Sequence, residues 1–132
     1  MSYTIGQSAR LRKTITEADI ILFAGISGDA NPVHIDEVAA RESRFGRRIA
    51  HGMLGAGLIS AVIGMHLPGP GTIYLNQTLA FRSPIYIGDT VTAYAEIKSL
   101  RDDKPIATLI TQLLNEEAKI LIEGEAIVLL PN

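Results

Sequence analysis

The sequence predicts an α+β fold in which an antiparallel sheet curves around one buried helix, and three features carry that reading. Residues 53–67, MLGAGLISAVIGMHL, are apolar apart from Ser60 and His66, and a helix apolar nearly all round is one buried on all sides. Beyond Pro68-Gly69-Pro70-Gly71 the hydrophobic period drops to two, in segments joined by short turns. That is the pattern of an antiparallel meander, not of alternating strand–helix–strand units. Gly55, Gly57 and Gly64 lie inside the apolar segment. Each would cost a free helix about 1 kcal/mol, so they imply close approach of a backbone or ligand.

The elements follow in order. Ala9, Leu11, Lys13 and Ile15 alternate with polar neighbours and predict a first short strand. Thr16 precedes Glu17, Ala18 and Asp19, an N-cap followed by acids in the first turn. Ile20, Phe23, Ala24 and Ser27 recur at helical spacing with Gly28 as a stop, giving a helix over 17–27. Asn31-Pro32 is a breaker, because the residue before proline is pushed out of the α region. Asp36 can cap a short helix over Glu37–Ser43, and Phe45–Gly52 is a loop into the buried helix. Ile73, Leu75, Gln77, Leu79 and Phe81 then share one face of a strand that runs to Arg82. Val91–Ile97, Ile106–Leu114 and Ile120–Leu130 supply further strands, separated by the turns at 101–105 and 115–117.

The totals exclude several classes. A chain of 132 residues fits one domain spanning 1–132, long enough for a core without staples. A formal charge of −2 gives no basic footprint for nucleic acid. The absence of cysteine removes disulfides and thiolate zinc sites. The fifteen-residue apolar segment is shorter than the roughly 18 residues that suggest a membrane span. No basic stretch followed by an apolar run opens the sequence, so a cytoplasmic protein is expected.

The candidate chemistry lies in two stretches. Gly28-Asp29-Ala30-Asn31-Pro32-Val33-His34-Ile35-Asp36 sets a carboxylate and an imidazole five residues apart on a tightly folded chain. One of the two can take a proton from water while the other delivers one. Ile49-Ala50-His51-Gly52 stands directly before the apolar helix. Unpaired N–H groups at a helix N-terminus attract developing negative charge, and glycine lets an oxygen approach closely. Each feature also has a structural reading. Asp29 and His34 can merely stabilise a turn, Asp36 can cap a helix, and His51 can be a hydrogen-bonded core residue. His66, near the helix end, can complement the helix dipole. Asp29, His34, Asp36 and His51 could together ligate a metal, but no histidine spacing typical of zinc is present, so no metal is expected. Arg41, Arg44, Arg47 and Arg48 form a basic cluster that suits phosphates or else a solvated face.

On these residues the chain resembles the R-specific enoyl-coenzyme A hydratases, the MaoC-like branch of the hot-dog fold. It looks most like their short single-domain form linked to polyhydroxyalkanoate synthesis. The likeness rests on Asp-x-Asn-Pro-x-His-x-Asp over 29–36 and on His51-Gly52. It extends through Leu67-Pro68-Gly69, Ile73-Tyr74-Leu75, Gly88-Asp89 and residues 103–108. The resemblance implies that Asp29 and His34 polarise a water, adding hydroxyl to C3 and a proton to C2 of a trans-2-enoyl thioester. It implies that the Gly52 N–H stabilises the thioester oxygen and that Asn31 holds the loop. Asn31, His51, Met53 and Arg47 would lie on the substrate side, with Leu58, Val62 and Leu130 limiting acyl length. An acyl-coenzyme A substrate, a homodimer, and no metal or redox cofactor are implied as well. Arg47-Arg48 depart from the often proline-containing approach to the His-Gly turn. Three further readings share the fold: a dehydratase of acyl-carrier-protein thioesters, a thioesterase, and a non-catalytic thioester-binding module.

Overall fold

The computed structural model describes residues 2–132. Strand β1 (Ser8–Thr14) leads into helix α1 (Glu17–Ser27), whose bounds coincide with the predicted ones. The reason is a capping box: the Thr16 hydroxyl accepts from Asp19 N–H, and the Asp19 carboxylate accepts from Thr16 N–H at 2.9 Å. Gly28 ends the helix at φ 79°. Asn31-Pro32, read from sequence only as a breaker, also starts a one-turn helix, α2 (Pro32–Ile35). Proline is suited to the first helical position because its missing N–H would have no partner there, and the Asn31 side chain accepts from Val33 N–H. Asp36 caps α3 (Glu37–Glu42) as expected, and α4 (Gly52–Met65) follows.

The sheet comprises β2 (Ile73–Gln77), β3 (Ala80–Phe81), β4 (Thr90–Leu100), β5 (Ile106–Leu114) and β6 (Ile120–Leu129) together with β1. All pairings are antiparallel in the order β1-β4-β5-β6-β2, with β3 also on β6. Helix α4 lies against β1, β4, β5 and β6. Ile59, Val62 and Ile63 of α4 are buried in one core with Ala93, Ala95, Ala107 and Ala126 of the sheet. Those small residues let the helix axis come near the strands.

Two expectations change. The predicted single strand 73–82 is split into β2 and β3. Thr78 N–H donates to Glu125 O at 2.9 Å, while Glu125 N–H donates to the Thr78 hydroxyl at 2.9 Å. A side chain thus takes a place in the ladder, and the Thr78 backbone presses on Gly124, where a Cβ could not fit. The second change concerns α4, which is not buried all round. Met53 and Met65 are 56% and 65% exposed, and nothing lies within 4 Å of a Cβ placed at Gly57 or Gly64. Of the three glycines expected to meet a close neighbour only Gly55 does so, a Cβ there standing 2.6 Å from Ile85 Cδ1. A sheet covers one side of a helix, and the side that carries Met53, Gly57 and Met65 is left exposed. Among the described residues no helix is long and apolar enough to cross a membrane.

Candidate active site

The segment between α1 and α2 is folded by its own side chains. Asp29 N–H donates to the Ser27 hydroxyl at 3.1 Å, and the Asp29 carboxylate accepts from Asn31 N–H at 3.2 Å. Asn31 in turn caps α2, the helix that carries His34. Asp29 is exposed and His34 is buried. His34 Nδ1 lies 2.7 Å from the Ile49 carbonyl. A carbonyl only accepts, so Nδ1 carries the proton and the neutral ring keeps its lone pair on Nε2. His51 Nε2 donates likewise to the Asp29 carbonyl at 2.7 Å, leaving its buried Nδ1 without a hydrogen-bond partner.

The two imidazoles stack with centroids 3.9 Å apart and planes 28° from parallel, and Phe23 tilts onto His51 at 4.7 Å. An Asp29 carboxylate oxygen and one ring nitrogen each of His34 and His51 lie within 4.8 Å of one another. The tertiary fold therefore gathers the two sequence stretches into one cluster. Three side chains suited to a metal, one carboxylate and two imidazoles, meet there, although the histidine spacing had given no sign of it. Asp36 is committed elsewhere, its carboxylate accepting from Val38 and Ala39 N–H.

His51 is also the N-cap of α4, and no side chain caps that helix. Leu54 N–H already donates to the His51 carbonyl at 3.0 Å, so the first-turn N–H groups available to an oxygen of a ligand are those of Gly52 and Met53. The Phe81 ring lies against Gly52, 2.8 Å from where a Cβ would stand. An acceptor pair, a free helix N-terminus and a glycine with an aromatic wall can bind a water and a polarised carbonyl side by side.

Known proteins give this arrangement a context. The family model described as "MaoC like domain" matches residues 2–118. The chain belongs to that family. An (R)-specific enoyl-CoA hydratase from Rhodospirillum rubrum is 54% identical over 96% of the chain and 87% of its own length. The enzyme of that name from Aeromonas caviae is 47% identical over 98% of the chain and 97% of its own. The solved structure of the A. caviae (R)-hydratase involved in PHA biosynthesis superposes with a TM-score of 0.96, covering 98% of each chain. The hot-dog fold expected from the sequence is thereby established.

Around this MaoC-like cluster the remaining site candidates divide. A cleft of about 420 Å³ adjoins Gly52, with Phe45, Ile49, Phe81, Pro84 and Ile122 among its walls. None of Leu58, Val62 and Leu130 lines it. Val62 is fully buried in the core, and Leu58 lies on a separate shallow groove beside Leu22 and Ile26. Leu130 is half-buried on the core, its N–H bound to Pro105 O. Helical and strand periodicity located these residues on inward faces without revealing which inward face meets a cavity. Met53 is exposed in the first turn of α4. Arg47 extends over the Tyr86 ring at 4.1 Å, 4.0 Å from the Asp89 carboxylate. Arg48, by contrast, turns inward and is buried. The basic cluster is therefore not one continuous face. Phe81 and Ile49 escaped the sequence reading because their roles arise from a ring contact and a backbone carbonyl, neither of which has a residue-type signature.

Proposed function

We propose that this MaoC-like chain is an (R)-specific enoyl-CoA hydratase, adding water to a trans-2-enoyl-CoA to give the (R)-3-hydroxyacyl-CoA. The observation that carries the reading is near full-length identity of 54% and 47% to two enzymes of that name. The geometry supports Asp29 and His34 as the acid–base pair. A water between them has two acceptors for its two O–H groups, the Asp29 carboxylate and the His34 Nε2 lone pair. Its own lone pair is then free to attack C3. One water proton passes to the pair as the C3–O bond forms, and a proton returns from the pair to C2. The electrons displaced onto the thioester oxygen in between would be met by the Gly52 N–H at the start of α4. Dehydration runs through the same steps in reverse, so one site serves both directions.

We further infer a homodimer. β2 ends the sheet order and so leaves one edge unpaired, with Ile73 and Leu75 more than half exposed. Long apolar edges in stable proteins are covered, and a second copy covers them symmetrically. The exposed face of α4 offers a second apolar surface to the same partner.

The test is direct. Purified protein mixed with crotonyl-CoA should abolish the enoyl-thioester ultraviolet absorbance, and chiral analysis should return (R)-3-hydroxybutyryl-CoA. An unchanged absorbance with both short and medium acyl chains would remove the hydratase reading.

A further inference from the structure

We infer that Arg48 is a positioning residue for His34, acting on the imidazole through the His34 backbone carbonyl. The inference rests on the hydratase reading for its consequence in turnover, but its geometry stands apart from it. The Arg48 side chain is only 6% exposed. Its Nε–H donates to the His34 carbonyl at 2.7 Å. Its Nη1 lies 2.6 Å from the Glu17 carboxylate of α1 and 3.7 Å from that of Glu37 in α3. Its Nη2 is buried without a partner. Burying a charged fork is unfavourable, and leaving one of its nitrogens unpaired is more so. An apolar side chain could fill the space at lower cost if filling were its whole purpose. What the guanidinium supplies instead is direction.

α2 has four residues, too few for a helix to hold its own shape. Three hydrogen bonds tie it to residues 48–49. Ile49 N–H donates to Val33 O at 3.3 Å, Arg48 Nε–H to His34 O at 2.7 Å, and His34 Nδ1–H to Ile49 O at 2.7 Å. Residues 48–50 are themselves anchored. Ile87 N–H donates to Arg48 O at 3.3 Å, and Ala50 N–H donates to Ile85 O at 2.7 Å. Arg48 therefore connects a fixed segment to the short helix that presents His34. Glu17 from α1 and Glu37 from α3 both approach Nη1, so one arm of the guanidinium is held by the two helices while Nε–H reaches the carbonyl. With the His34 peptide pinned, its ring is held where Nδ1–H meets Ile49 O, and Nε2 is the nitrogen left to accept a proton. A lysine would keep the charge for Glu17 but lacks the fixed Nε–H that reaches the carbonyl.

Imidazole ¹H–¹⁵N spectra of the full chain near neutral pH, with His34 assigned, report which ring nitrogen carries the proton. Native His34 should show protonated Nδ1 and free Nε2. Arg48→Lys and Arg48→Met should both move it towards a mixture of tautomers. On crotonyl-CoA, kcat should fall roughly tenfold to a hundredfold, as for a misplaced acid–base group, with KM changed by no more than about twofold. Far-ultraviolet circular dichroism identifies the variants that fold, and if Arg48→Met does not, Arg48→Lys decides alone. A folded variant with the native His34 tautomer overturns the proposal whatever its kcat. Absence of turnover in the unmodified protein would instead remove the hydratase reading, and the spectra would still decide the role of Arg48.

Discussion

Asp29 and His34 owe their proposed chemistry to which of their atoms are already engaged. The Asp29 carboxylate holds Asn31 N–H, and His34 spends Nδ1 on Ile49 O, so each still offers one acceptor to a bound water. Replacing the carboxylate by an amide keeps the size and the turn while removing proton acceptance. Asp29→Asn is therefore expected to bind the thioester with near-native affinity and to lose about 10²–10⁴-fold in kcat. Retained binding with lost turnover, measured by calorimetry and the crotonyl-CoA assay, separates the enzyme from a thioester-binding module. Gly52 is constrained differently. Any side chain there meets the Phe81 ring, so Gly52→Ala should reduce kcat by displacing either the ring or the first turn of α4. The double variant Gly52→Ala with Phe81→Leu should recover part of that loss, and failure to recover would place the defect in the amide itself.

At the scale of elements, the α1 cap and the β2–β3 break each rest on a few atoms. Partial burial tends to raise the Asp19 carboxyl, but hydrogen bonds from Thr16 and Lys13, with the Lys13 charge, outweigh this and hold it below its ordinary value of 3.8. A carboxyl depressed in the folded state stabilises above its unfolded value and ceases to do so as pH falls through the folded one. Asp19→Asn should accordingly lower Tm at pH 7, and the deficit should shrink below about pH 3.8. A deficit equal at both pH values would assign the effect to hydrogen bonding alone. Gly124 is the other sensitive point, since the Thr78 backbone occupies the place of its Cβ. Gly124→Ala should cost roughly 1–3 kcal/mol of stability, as overpacking does, in urea unfolding.

The whole molecule is unbalanced as a single chain, with apolar surface on the β2 edge, on α4 and on α1. Ile26 is 85% exposed and Leu22 65%. A second copy across β2, as proposed, would cover Ile73 and Leu75. Ile73→Lys with Leu75→Lys should shift the sedimentation coefficient from a dimer to a monomer. Gly57 supplies a check on α4. With open space around its Cβ position, Gly57→Ala should raise helix stability by about 0.5–1 kcal/mol in a monomer. A loss of stability that grows with protein concentration would show that this face is covered in the assembly.

Much of this protein is determined locally. Thr16 to Gly28 contains a complete start and stop signal, so α1 lies between its predicted bounds. The meander follows from alternation, because a period of two leaves only one face to bury. Asp29, His34 and His51-Gly52 stand out because few residue types move protons and few sites present free N–H groups. Other features arise only from contacts between distant segments. The division at Thr78 needs the opposing Gly124, and the exposed side of α4 depends on how far one sheet can wrap. In sequence Arg48 is one member of a basic cluster with Arg41, Arg44 and Arg47, suited to phosphates or to a solvated face. Its burial follows from where α1 and α3 bring Glu17 and Glu37. Sequence periodicity records which way a side chain points relative to its own element, whereas a cavity wall or an anchoring carbonyl is defined by the neighbour it meets.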